Sequence, residues 1–180
     1  MPTVFTHAFV AAALGGACAR GQMPARFWML AMLCAVLPDA DVVAFLFGVP
    51  YGSAFGHRGF THSLAFALAA GVAAAFVFFR RERHRAALAL FFALATASHP
   101  VLDAMTNGGR GVAFFWPLSD RRYFFGFRPI EVSPIGVTSF FSEWGAAVIQ
   151  SELVWVWLPC ALALGFVLIL RRLSRTPTTG

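Results

Sequence analysis

Hydrophobic residues in this chain gather into five runs, at about 4 to 19, 27 to 47, 63 to 79, 86 to 105 and 153 to 170. Each run is near the about 20 residues that carry an α-helix across a hydrocarbon core. The pattern predicts an all-α, polytopic membrane protein with about five transmembrane helices. Residues 1–170 form one integral membrane domain in this reading, and 171–180 a cytoplasmic tail. The segment 106–150 departs from the pattern, because FFWPLSDRRYFFGF and VTSFFSEW mix bulky aromatics with charge. Such composition suits the headgroup interface, so an amphipathic outer segment is expected between helices four and five, with Trp116, Trp144 and Trp155 as anchors.

Composition strengthens the membrane reading. The chain is 59% hydrophobic and only 12% charged, with a mean hydropathy of +0.71. Soluble domains hold about 45–50% apolar and about 25% charged residues. The net charge of +6 comes wholly from arginine, but these arginines sit between apolar runs, where basic residues orient membrane proteins. No basic, aromatic-interleaved soluble module is present, so no nucleic-acid partner is expected. Cys18, Cys34 and Cys160 lie in separate apolar runs without CxxC spacing and read as buried small hydrophobes, with no disulfide framework. LGGAC at 14 to 18 has a faint lipoprotein look, yet no basic stretch precedes it, so an uncleaved first helix carrying His7 is expected.

The arginines also suggest an orientation. Arg20 and Arg26, the block RRERHR at 80 to 85, and RRLSR at 171 to 175 fall on one side of a five-helix chain. The positive-inside rule assigns that side to the cytoplasm and leaves the N-terminus outside. His84 belongs to this solvated turn and to no site.

Six ionisable residues lie in or at the apolar runs: His7, Asp39, Asp41, His62, His99 and Asp103. Each costs about 2.5–3.5 kcal/mol at a helix centre on insertion scales, so each needs a reason. In SHPVLD, His99 and Asp103 are four apart, on one helix face, a spacing at which both can ligate one ion. In PDAD, Pro38 is expected to loosen or kink helix two about two turns before its end. Asp39 and Asp41 would point to different faces of an undistorted helix, so one ligand, Asp39 first, and one supporting partner are expected. HRGFTHS supplies His57 and His62, with Gly59 permitting a tight turn and Thr61 or Ser63 able to cap helix three. His62 is the better ligand; His57 can ligate or act as acid or base. Arg58 offers a fork for an anion. On the predicted topology all these groups share one membrane level at the outer side.

Nitrogen and oxygen ligands without cysteine suit a divalent ion, zinc first, or iron or manganese if carboxylates dominate; one ion or two fit the ligand count. The motifs LPDAD at 37 to 41, HRGFTHS at 57 to 63, SHPVLDAMTNGG at 98 to 109 and FFWPLSDRRYFFG at 114 to 126, with the early His7, resemble a bacterial family. It is the YdjM-like family of membrane-bound metal-dependent hydrolases of the inner membrane. The pair His99 and Asp103 is also loosely similar to that of zinc-dependent phospholipases C and nucleases.

The resemblance implies a metal-dependent hydrolase. The residues point to metal ligation by His7, Asp39, His62, His99 and Asp103, with His57 or Asp41 as acid or base or supporting partner. Arg58, with Arg110 or Arg121, would contact an anion. A site at headgroup level points to a phosphoester or other ester of a lipid or lipid-linked substrate, with membrane lipids as partners. The competing reading is a non-catalytic metal-binding or structural membrane protein, or a metal transporter. A transport pathway would distribute polar groups through the membrane depth, whereas the cytoplasmic halves of these helices are almost purely apolar. Glu152 reads simply as an acid at the start of helix five.

Overall fold

The computed structural model describes residues 1–19, 21–134 and 140–174; Arg20, positions 135–139 of the outer segment and positions 175–180 of the tail lie outside the described residues. The protein is all-helical. Among the described residues there is no strand, only two isolated bridges, Thr106 with Ile130 and Val112 with Tyr123. Helix α1 spans Val4–Cys18 and α2 spans Ala25–Val36. A 3₁₀ helix, Leu37–Phe47, continues α2 directly. A 3₁₀ turn, Phe60–His62, leads into α3, Leu64–Phe78. Helix α4 covers Arg85–Ala104. Helix α5, Glu143–Glu152, runs through a π-type turn, Leu153–Trp157, into α6, Leu158–Leu173.

These make five apolar helical bodies, in agreement with the five runs of the sequence. Three are long and apolar enough to cross a membrane, Ala25–Phe47, Arg85–Ala104 and Glu143–Leu173; Val4–Cys18 and Leu64–Phe78 are shorter apolar helices. The fifth body begins at Glu143, ten residues before its apolar run, because Ser142 caps it by accepting from the Gly145 amide at 3.4 Å. Polarity within EWGAAVIQSE does not stop a helix that has a cap and good helix formers.

Pro38 changes the helix type instead of kinking it. Proline lacks the N–H that would bond back one α-turn, and from Leu37 onward the chain winds as a 3₁₀ helix of 11 residues. That is far longer than the usual three or four. Pro100, by contrast, sits inside α4 without ending it. Ser63, not Thr61, caps α3, accepting from the Phe66 amide at 3.0 Å.

Packing relies on small residues. At Gly71 of α3 an added Cβ would stand 2.3 Å from the Ala93 nitrogen and 2.6 Å from the Ala89 carbonyl oxygen of α4. The two backbones therefore touch, as small residues allow in membrane proteins. Phe27, Phe79, Phe91 and Phe92 fill the space between α2, α3 and α4 among buried alanines. Cys34 is buried in this cluster, whereas Cys18 is exposed, against the expectation of burial, and Cys160 is intermediate; all three are free thiols.

The C-terminal body grips α1 at both ends. Glu152 is buried at 3% exposure and sits at the N-terminus of α1, not at the start of its own helix. Its carboxylate accepts from the Thr3 amide at 2.5 Å, the Thr3 hydroxyl at 2.7 Å and the Thr6 hydroxyl at 2.6 Å. At the other end Arg171 donates to the carbonyls of Gly16, Ala17 and Ala19. An anion at the N-terminus and a cation at the C-terminus both complement the helix dipole.

The Gly71 contact gives a direct check. Gly71→Val is expected to destabilise the fold by about 1–3 kcal/mol through overpacking, read as a lowered melting temperature in detergent. Gly165→Ala, at a position with nothing within 4 Å of the added atom, is expected to leave that temperature unchanged or slightly raised.

Candidate metal centre

Four elements converge at one end of the bundle. The 3₁₀ extension of α2 brings Asp39 and Asp41, the turn before α3 brings His57, Arg58 and His62, and the last turns of α4 bring His99 and Asp103. The N-terminal part of α1 brings His7. The described segment 106–134 lies against this end: the Leu64 amide donates to the Phe114 carbonyl, and the Ala113 amide to that of Arg58.

Asp39, His62, His99 and Asp103 each offer one ligand atom, all within 4.8 Å of one another. His62 Nε2 lies 3.1 Å from His99 Nε2 and 3.4 Å from Asp103 Oδ2. His99 Nε2 lies 3.2 Å from Asp39 Oδ1 and 4.0 Å from Asp103 Oδ2. Tetrahedral coordination with bonds of about 2.0–2.1 Å sets ligand atoms about 3.3 Å apart, so these separations are of the right size.

The protonation pattern agrees. His99 Nδ1 is 2.7 Å from the Ala35 carbonyl oxygen, which only accepts, so Nδ1 carries a proton and Nε2 is the ring atom turned towards the cluster. His62 Nδ1 is 3.2 Å from Asp41 Oδ2, which orients its Nε2 the same way. The two Nε2 atoms, 3.1 Å apart, then face each other beside two carboxylates. All four oxygens of Asp39 and Asp103 are buried without a hydrogen bond, the arrangement expected of atoms that ligate a cation. The residues therefore can hold a metal ion.

His7 stands beside this group. It is fully buried, its ring stacks on His99 with centroids 3.7 Å apart and planes 13° from parallel, and its Nε2 is 3.9 Å from Asp103 Oδ1. Neither ring nitrogen has a hydrogen-bond partner.

Asp41 organises the HRGFTHS loop. Its Oδ1 lies 2.6 Å from His57 Nδ1, and its Oδ2 accepts from the Arg58 amide at 3.2 Å and the Thr61 hydroxyl at 2.7 Å. Asp39 thus faces the ligand cluster directly, whereas Asp41 holds the supporting loop and the outer nitrogen of His62. The loop is tight at Gly59, where a Cβ would stand 2.2 Å from the Ala54 carbonyl oxygen.

Arg58 is fully buried and its backbone is left-handed, with φ 62°, a conformation costing roughly 1–2 kcal/mol outside glycine. Its Nε lies 3.0 Å from Asp103 Oδ2, Nη1 donates to the Gly108 carbonyl and Nη2 to the Thr106 hydroxyl. The guanidinium nominated for a substrate anion is thus directed at a carboxylate of the protein itself. Arg110 and Arg121 face tyrosines, 6.0 Å from the Tyr51 ring and 5.4 Å from the Tyr123 ring respectively.

Arg122 was not among the expected site residues, yet it fixes the loop by donating to the carbonyls of His57, Ser53 and Tyr51 at 2.9, 3.0 and 3.3 Å. Its place in the motif SDRRYFFG was visible, but its partners are carbonyls, which no sequence pattern reveals. Tyr51, whose ring packs edge-on to His57 at 5.2 Å, also escaped notice. Burial pushes its phenol above the ordinary value, so it remains a proton donor at neutral pH.

The Arg58 and Asp103 pair yields a stability test. Asp103→Ala alone leaves a buried guanidinium uncompensated and is expected to cost about 3–5 kcal/mol. The double variant Arg58→Met with Asp103→Leu is expected to be more stable than Asp103→Ala, as ranked by thermal unfolding in detergent.

Comparison with known proteins adds the family. No solved structure matches the chain. An Escherichia coli (strain K12) protein described as inner membrane protein YbcI is 45% identical over 175 residues, covering 96% of this chain and 100% of the relative. The family model described as YdjM inner membrane protein matches residues 1–174. Matched over nearly its whole length, this chain belongs to the YdjM inner membrane protein family.

Proposed function

We propose that this protein is a membrane-embedded, metal-dependent hydrolase that cleaves a phosphoester or other ester of a lipid or lipid-linked substrate at the outer face of the inner membrane. The observation that carries this reading is the group of Asp39, His62, His99 and Asp103, whose ligand atoms lie within 4.8 Å of one another and whose four carboxylate oxygens have no hydrogen-bond partner. Nitrogen and oxygen donors at these separations favour zinc, held as a single ion. When bound, such an ion supplies Lewis-acid activation of water and of the substrate oxygen.

The remaining roles belong to the chain's own side chains. His57, held at Nδ1 by Asp41, takes the proton of the attacking water at Nε2 and returns it to the leaving oxygen. Asp41 also orients His62, and the Ala35 carbonyl orients His99, the outer-shell support that metal-binding imidazoles require. Arg58 positions Asp103 and offsets one of the two clustered carboxylate charges. His7, stacked on His99, shields that ring and offers a further nitrogen beside Asp103.

Metal analysis of the purified protein tests this directly. The wild type is expected to carry about one equivalent of zinc, and His99→Ala and Asp39→Ala to lose it. His57→Gln is expected to keep the metal while hydrolysis of a phosphodiester and phospholipid panel falls about 10²–10⁴-fold. A fully folded wild type without metal overturns the reading; bound metal without turnover on any ester favours the non-catalytic alternative.

Orientation follows from the arginines at the opposite end, where Arg26 pairs with Glu82 at 3.1 Å and Arg171 caps α1. Positive-inside placement puts this end in the cytoplasm and the metal centre outside. With the native cysteines replaced, Leu118→Cys is expected to react with an impermeant maleimide in spheroplasts, and Arg83→Cys only after permeabilisation. The reverse pattern moves the site to the inner face.

A further inference from the structure

Two cavities meet beside the metal centre. The inner one, about 290 Å³, is lined by Tyr51, His57, Gly109, Val132 and Trp144, together with Met1, Ser133 and Pro134. The outer one, about 380 Å³, shares Met1, Ser133 and Pro134 and is otherwise walled chiefly by Val4, Phe5, Phe140 and Phe141. Both volumes are close to or within the usual range of small-molecule sites, about 300–1,000 Å³. Their chemistry differs sharply. The inner cavity presents His57 and the Tyr51 phenol, and the exposed guanidinium of Arg110 lies 6.0 Å from the Tyr51 ring. The outer one is almost wholly apolar, and Phe5 at 70% and Phe141 at 81% exposure open it towards the surroundings of an inner membrane protein, which are hydrocarbon.

We infer that these two cavities form one binding site for a membrane lipid with an anionic phosphate headgroup: an acyl chain lies in the outer groove while the phosphate reaches the inner cavity beside His57 and Arg110. This rests on the hydrolase reading above and names its substrate class. Three features select a lipid of the surrounding bilayer over a soluble ester. The groove opens among exposed phenylalanines, its Thr3 and Ser133 hydroxyls are already bonded to Glu152 and the Pro134 carbonyl, and it shares Met1, Ser133 and Pro134 with the cavity lined by His57, which bonds to Asp41 at 2.6 Å. A soluble phosphoester would gain nothing from the outer groove. For a lipid, burying the chain there and placing the phosphate beside Arg110 use both halves.

Photo-crosslinking tests the site without relying on turnover. The purified full chain in phosphatidylcholine vesicles is exposed to a trace of phosphatidylglycerol carrying a diazirine on its acyl chain. Adducts are expected to concentrate on Phe5, Phe140 and Phe141, to fall at least fivefold when unlabelled phosphatidylglycerol competes, and to resist added phosphatidylcholine. Val4→Trp, which narrows the groove at an exposed position, is expected to reduce the adducts by a similar factor with helicity and metal content unchanged. The milder pair Phe5→Ala with Phe141→Ala serves if that variant fails to fold. Adducts spread evenly over Leu162, Phe166 and other exposed residues of α6, or insensitive to the competitor, overturn the inference. If the inference holds while no ester is hydrolysed, the hydrolase reading falls and the lipid site stands. Where turnover is measurable, Val4→Trp is expected to raise KM at least fivefold for long-chain phosphatidylglycerol and leave kcat/KM for its dihexanoyl analogue unchanged.

Discussion

Two clustered carboxylates, Asp39 and Asp103, stand beside two imidazole nitrogens 3.1 Å apart, like charges brought together in a medium that screens charge poorly. The rest of the protein is arranged around holding these atoms together. Arg58 offsets one carboxylate charge and adopts a left-handed backbone to do so. Asp41 ties His57, the Arg58 amide, Thr61 and His62 into one hydrogen-bonded loop. Such convergence is costly without a cation at its centre, so an ion held there would couple its binding to the folding of this end of the bundle.

The opposite face of the same requirement is rigidity in the scaffold. Helix α1, which carries His7, has its amino end held by Glu152 and its carboxyl end by Arg171, both from the C-terminal body. Helices α3 and α4, which deliver the loop histidines and the His99 and Asp103 pair, are in backbone contact at Gly71. The ligands therefore sit on elements that cannot slide past one another without losing buried polar or close-packed contacts.

Much of this was legible in the chain itself. Five hydrophobic runs map onto five helical bodies, and the polar residues interrupting them, His7, Asp39, Asp41, His62, His99 and Asp103, meet at one end, because each is costly anywhere that it cannot be paired. Asp39 and Asp41, expected on different faces of an undistorted helix, both approach His62, Asp39 at Nε2 and Asp41 at Nδ1. What escaped were contacts with no periodic signature. Glu152 serves a helix almost 150 positions away, Arg122 binds carbonyls, and Arg58 turns inward to Asp103 from a left-handed backbone that has no sequence signature at a non-glycine residue. The start of the fifth body was missed because a serine cap outweighed a polar decade of residues.

The long 3₁₀ stretch after Pro38 has a consequence for depth. Helix α2 has 12 residues and its extension 11. At about 1.5 and 2.0 Å per residue the body reaches roughly 40 Å, well beyond a core of about 30 Å. Measured from its start along an untilted axis, Asp39 stands roughly 24 Å in. Asp39 therefore lies less than one hydrocarbon thickness from the start of this body, with the last turns of the 3₁₀ stretch beyond it.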